Sequence, residues 1–336
     1  MASCFDSIIG IKSQCTTSTG SSTFFIEDIG ITADYAGQYI NSEYSSGIEF
    51  IEDKIRLSTD LVKKTIQNHF AEHIISKSVI DSQLLGHYQD SLQLKSGVAA
   101  TYGGISLELT NYKSYFNVFV NAISIQISTT QTVPVFVYDL ISGTLLDTIN
   151  IDAVANTIVS KTINKTYSSP KRKLDLIFVY DTEGISSNTT TLSYTGCASC
   201  LGYIYTNGYI SASPITIGES DAKIRSSLVG GTHTFGLSVN YSIQCSVENW
   251  LCELANLMAM PILYKTGMEV MTYALYYSNR QNSGINIHAE RNQKALDFFT
   301  TAYNDALEAT IKKINVPKGD VCFKCNEFMR SAIVLP

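Results

Sequence analysis

A chain of 336 residues, 45% hydrophobic and only 16% charged, can bury a large core and divide into two or three domains, which excludes a disordered polypeptide. Its formal net charge of −6 excludes a protein that holds nucleic acid through a broad basic face. The opening "MASCFDSIIGIKSQC" has no basic start and only a short apolar run, so no signal peptide is expected and the chain reads as made and kept in a cytoplasm.

Residues 1–30 hold the Ser/Thr/Gly cluster "TTSTGSST" between short apolar runs and read as an extended N-terminal arm that needs a partner surface. Residues 31–96 read as a helical segment. Within it, a helix over 48–75 places Ile48, Ile51, Ile55, Val62 and Ile66 on one face, with Phe50, Leu57 and Leu61 marking a second. His69, Glu72 and His73 fit the H-x-x-E-H spacing of inverted zinc peptidases, in which two imidazoles one helical turn apart bind zinc. Such a site needs a downstream acidic ligand, and no glutamate occurs between Glu108 and Glu183. The two histidines are therefore expected to be partly buried interface residues, and no catalytic residue is assigned. No nucleotide-binding P-loop, nucleophile elbow or dinucleotide fingerprint is present either.

Residues 97–242 change to runs rich in β-branched and aromatic residues, such as "YFNVFVNAISIQIS" and "KLDLIFVYD", separated by Gly, Ser, Asn and Pro. They predict an antiparallel β-sandwich or jelly-roll-like domain inserted between helices. "FVYD" occurs at Phe136 to Asp139 and again at Phe178 to Asp181, which reads as two core strands that each end in an Asp-led turn. The sequons at Asn164, Asn188 and Asn240 carry meaning only in a secreted chain.

Residues 243–317 predict a helical hairpin. Its first helix, 247–277, is apolar nearly all round with a kink expected at Pro261, and its second, 289–314, has a stripe of Leu296, Phe299, Tyr303, Leu307 and Ile314. Glu253, Lys265 and Glu269 make the first a buried helix rather than a membrane span. Residues 318–336 form a tail, "VCFKCNEFMRSAIVLP", expected to dock on a helical surface. The fold class expected overall is α+β: a helical body of N- and C-terminal helices with the β domain inserted.

The eight cysteines fall in loose pairs: Cys4 with Cys15, Cys197 with Cys200, Cys245 with Cys252, and Cys322 with Cys325. In a reducing compartment such pairs point to metal or packing before disulfides. Cys197, Cys200, Cys322 and Cys325 could together complete a tetrahedral zinc site. Buried thiols are the competing reading, and no cofactor is assigned.

The strings "CFDSIIGIKSQC", "IEDIGIT", "EYSSGIEFIEDKI", "SIQCSVENWLCEL" and "VCFKCNEF" resemble structural proteins of crAss-like and related phages that infect Bacteroidetes. Within that group the chain is most similar to ring proteins that stack below the portal in the neck and tail of a short-tailed virion. The resemblance implies a non-enzymatic virion protein, assembled in the host cytoplasm, that forms a cyclic homo-oligomer and joins other ring, portal or tail proteins. Ile48, Ile51, Ile55, Phe323 and Phe328 are the interface residues expected; no membrane contact is. A glycan- or surface-binding β-sandwich is the alternative, motivated by the 20 tyrosines and many polar strands.

Overall fold

The computed structural model describes residues 4–6, 8–12, 24–40, 43–74, 78–88, 91–169, 173–192, 205–206, 208–231, 233–276, 286–317 and 321–323. The chain is α+β and divides into a unit formed by residues 1–75 with 250–336, and an inserted unit of residues 76–249.

The first unit begins with β1 (Ile9–Gly10), which pairs in parallel with β2 (Phe24–Phe25). A 3-10 turn (Ile26–Ile29), α1 (Ala33–Gly37) and α2 (Gly47–His69) follow. Ser46 caps α2 by accepting from the Glu49 amide, and the Glu49 carboxylate accepts in turn from the Ser45 amide and hydroxyl. Phe50, Ile51, Ser58, Val62 and Ile66 form the buried stripe of α2, while Leu57 is exposed, so this helix has one buried face rather than two.

The helical part resumes with α3 (Val247–Glu253), α4 (Ala255–Tyr276) and α5 (Asn286–Lys313). The directions follow from paired contacts. Phe50 meets Tyr273 with ring centroids 4.8 Å apart, and Phe70 meets Trp250 at 5.8 Å, so α2 runs antiparallel to α3 and α4. Gly267 faces the Phe299 ring, and the Thr310 hydroxyl reaches the Leu257 carbonyl, so α4 and α5 are antiparallel as well.

Pro261 lies inside α4, and the helix break falls ahead of it at Leu254. A proline at 261 cannot donate to the carbonyl four residues back, which is that of Leu257. Thr310 of α5 supplies the missing donor at 3.0 Å. A side chain from the neighbouring helix therefore satisfies the group that the proline orphans, and α4 runs on.

The inserted unit contains β3 (Ser78–Leu85), β4 (His87–Tyr88), β5 (Leu94–Ser96), β6 (Thr101–Leu109), β7 (Phe116–Ile125), β8 (Gln131–Asp139), β9 (Thr144–Ala153), β10 (Val159–Tyr167), β11 (Asp175–Asp181), β12 (Ser186–Asn188), β13 (Thr190–Thr191), β14 (Tyr205–Thr206), β15 (Ile210–Gly218), β16 (Val229–Gly230) and β17 (Leu237–Cys245). One sheet has the order β10-β7-β17-β3. The other has β14-β15-β6-β11-β8-β9, with β16 added on β15. All these pairings are antiparallel.

The arrangement is β-sandwich-like. On β7, Phe116, Val118, Val120, Ile123 and Ile125 are buried, and on β8, Val133, Val135 and Val137 are. Tyr180 of β11 donates to the Phe235 carbonyl beside β17 at 2.8 Å, tying one sheet to the other. One edge is closed by side chains. Lys161 of β10 donates to the Asn150 carbonyl at 2.7 Å, and Lys165 and Tyr167 of β10 both reach the Asp147 carboxylate of β9.

The start of this unit differs from the sequence expectation. Residues 78–85, counted there with the N-terminal helices, form β3 and pair with β17. The run "SVIDSQLL" has no clean alternation; its Ser82 takes φ 40° where the register slips, so period-2 reading fails.

Candidate functional site

Two places in the helical unit gather the residues that the sequence singles out. The first surrounds Trp250. Phe70, the residue that closes α2, packs edge-on against the Trp250 ring, and Phe323 packs on the same ring with centroids 5.5 Å apart. Phe323 also forms an isolated antiparallel bridge with Ile74. The Phe5 ring lies beneath the Lys63 ammonium of α2, 5.2 Å from its centroid.

Cys4 is disulfide-bonded to Cys252 of α3, with Cα atoms 5.6 Å apart. Cys245 and Cys322 are each in the oxidised, disulfide-bonded state as well. This corrects the cysteine reading at three points. Cys4 pairs across 248 residues and not with Cys15, Cys252 does not pair with Cys245, and Cys322 is oxidised, so it offers neither a thiolate to zinc nor a buried thiol. The sequence spacing misled because α3 brings Cys252 beside the start of the chain, a closeness invisible in linear order. The other zinc candidates Cys197, Cys200 and Cys325, with Cys15 and the interface candidate Phe328, lie outside the described residues.

His69 and His73 do not share a helical face. The helix ends at His69, with Glu72 and His73 in the turn beyond it, and both imidazoles lie against the Phe70 ring. In the single chain His69 is exposed and His73 half-buried. Among the described residues no group of His, Cys, Asp and Glu is placed to hold a metal ion.

The second place is α4 with its flanks. On its inner side, the Lys54 ammonium of α2 sits over the rings of Tyr44, Phe50 and Tyr273 at 5.2 to 5.7 Å. Burial and the Asp53 carboxylate, which accepts the Tyr44 hydroxyl at 3.0 Å, push the Tyr44 phenol up to about 12. Tyr35 of α1 donates to Asn292 of α5 at 2.8 Å and touches the Met271 sulfur of α4, pinning three helices together.

The outer side of α4 is apolar and open. Leu257 and Met260, one turn apart, are 38% and 36% exposed, and Tyr264 follows them half-buried. The first charge after Glu253 is Lys265, and it is spent on Glu269 at 2.9 Å. On α5, Phe298 is 61% exposed. Among the expected interface residues, Ile51 and Phe323 are buried inside the chain's own helical unit, whereas Ile48 and Ile55 are half-buried. Sequence periodicity could not tell intrachain burial from contact with a neighbour, because both need the same apolar stripe.

In the β unit the two "FVYD" copies are paired with each other, Phe178 opposite Val137 and Val179 opposite Phe136. Each Asp leads a turn: Asp139 accepts from the Ile141 amide and the Ser142 hydroxyl, and Asp181 accepts from the Glu183 amide. Asn188, one of the sequons, is buried and donates to Gln126 at 2.6 Å.

No protein-family model matches the chain, and no curated protein matches it. Among solved structures, the chain is similar to the VP2 protein of infectious bursal disease virus (D431N mutant, derived T=1 particles) at 10% identity, over 64% of this chain and 55% of that one, with a TM-score of 0.17. It is similar to the D1-D2-D3 domains of the flagellar cap protein FliD from Escherichia coli at 12% identity, over 77% of this chain and 90% of that one, with a TM-score of 0.08. The chain spans about half the length of the VP2 chain it matches. Similarity at these TM-scores establishes neither a shared fold nor a shared role.

Proposed function

We propose that this chain is a structural protein of a phage virion that forms a homo-oligomeric ring in the neck or tail, joining portal to tail components. The strings at both ends of the sequence motivate the assignment. The outer face of α4 is the observation that carries it: Leu257 and Met260 stay open to solvent in a single chain, on a helix with no charge between Glu253 and Lys265. An apolar face of this kind supports burial against another subunit. Each subunit of a closed ring would repeat that contact, so a modest gain per copy accumulates.

Native mass measurement and negative-stain imaging of the purified full chain test the reading. A discrete cyclic oligomer is expected, and Leu257→Glu with Met260→Glu should shift it toward monomer while leaving the far-ultraviolet circular dichroism unchanged. A chain that stays monomeric at high concentration and binds an oligosaccharide would instead assign the β unit as a surface-binding module.

A further inference from the structure

Residues 219–228 leave β15 after Gly218 and return to it at Val229, where β16 pairs with Thr216. Between those points they cross the larger sheet of the β unit. Tyr180 of β11 reaches the other sheet, so Ile177 and Val179, one and three residues before it, face away from the sandwich interior. There they pack with Leu140 and Ile215, and Leu228 of the crossing segment lies on this cluster beside Tyr102, Phe136 and Tyr138. Ile224 stands against Gly143 in the turn between β8 and β9. The segment is a flap, with both ends on one strand and its middle over an apolar surface.

The flap is folded around a buried lysine. The Lys223 ammonium donates to the carbonyls of Gly218, Glu219 and Asp221, each at 2.8 Å, and stands 4.7 Å from the Tyr102 ring centroid. An ammonium has three N–H donors, and here each meets a carbonyl. The Asp221 amide donates to the same Gly218 carbonyl at 3.1 Å, closing the turn that aims these oxygens inward. Burial pushes the Lys223 pKa down, and the Asp221 and Glu219 carboxylates oppose that by favouring a positive charge. The other charged hold on the flap, Arg225 on Glu108 and Asp175, is made by an exposed guanidinium that solvent screens.

We propose that residues 218–221 form a site for one singly charged cation, filled in this chain by its own Lys223 ammonium, and that the filled site holds the flap closed over the outer face of the sheet. This role is independent of the ring reading. Calcium takes its oxygens at about 2.3–2.6 Å and magnesium at about 2.0–2.1 Å, so carbonyls spaced for an ammonium suit a larger, singly charged ion such as ammonium or potassium. Backbone carbonyls replace the hydration shell of such ions well. A tethered ammonium needs no free ion, so the flap closes whatever salt is present.

Hydrogen exchange on the purified full chain tests this. In Lys223→Ala the Asp221 and Leu228 amides should exchange at least about tenfold faster, while those of β7 and β17 keep their protection. Ammonium or potassium chloride should restore slow exchange at the two flap amides. Choline chloride at equal ionic strength should not, because its methylated nitrogen has no N–H to donate and is too bulky for the three carbonyls. Lys223→Arg keeps the charge but spreads its donors over a plane, so it should loosen the flap as well. The proposal is overturned if the flap amides stay protected in Lys223→Ala, if no added cation restores them, if choline restores them as well as ammonium does, or if Lys223→Arg exchanges like the unsubstituted chain. Loss of protection across β7 and β17 in both variants would also overturn it, by making Lys223 a support of the whole sandwich rather than of a separable flap.

Discussion

At the scale of single residues, stability rests on polar groups placed where the chain could not satisfy itself. Thr310 is the clearest case, because its hydroxyl fills the vacancy that Pro261 leaves at the Leu257 carbonyl. Thr310→Val keeps the shape and removes the donor, so it should cost about 1–2 kcal/mol, read as a lower midpoint in urea at an unchanged slope. His233 gives a pH dependence. Burial, with Lys95 beside it, pushes its imidazole down to about 4. An unfolded histidine takes a proton near 6.5, so as pH falls below that value the unfolded state gains protons that the folded state refuses. Its contribution is therefore complete above about 6.5 and lost progressively toward about 4. Thermal melts at pH 7 and pH 4 should converge in His233→Gln relative to the unsubstituted chain; an unchanged difference would show that other groups set the acid limit.

At the scale of elements, two adjacent glycines decide how the sheets of the β unit close. Gly103 faces the Phe235 ring, and a Cβ there would stand 2.5 Å from it. Gly104, on the next residue of β6, would place a Cβ 1.9 Å from the Phe178 carbonyl oxygen of β11. A ring can shift, whereas a paired backbone cannot. Gly104→Ala should therefore force β6 from β11 and cost more than about 3 kcal/mol, the range reserved for broken backbone packing. Gly184 is the control: it takes φ 70° with open space around it, so Gly184→Ala pays only the left-handed backbone penalty, about 1–2 kcal/mol. Chemical denaturation of the two variants side by side tests the ranking, and equal losses would refute it.

At the scale of the whole molecule, the insertion is made possible by where its ends lie. Its first long strand, β3, pairs antiparallel with its last, β17, and Ser78 stands opposite Gln244. Entry and exit are thus neighbours, the geometry that lets one domain be spliced into another. Both large sheets also close entirely within residues 78–245. The segment 76–249 expressed alone should therefore keep its β-type circular dichroism and melt cooperatively. A disordered product would show that the helical unit is needed to hold it.

Local physics made much of this legible in the sequence. Apolar spacing placed helices over 48–75, 247–277 and 289–314, where the structure has 47–69, 247–253 with 255–276, and 286–313, and β-branched runs marked most of the strands from 101 onward, because propensity and periodicity act over a few residues. The Asp-led turns after both "FVYD" strings were equally local. Tertiary structure alone decided the rest. It recruited residues 78–85 into a sheet through a strand more than 150 residues away, since pairing energy there overrides a weak pattern. It joined Cys4 to Cys252, because disulfide partners are chosen by Cα separation and not by spacing. It buried Ile51 and Phe323 within the chain's own helical unit while leaving Leu257 and Met260 open, although all four read alike as apolar. Hydrophobicity says that a face must be covered; only the packing of distant elements says which faces already are.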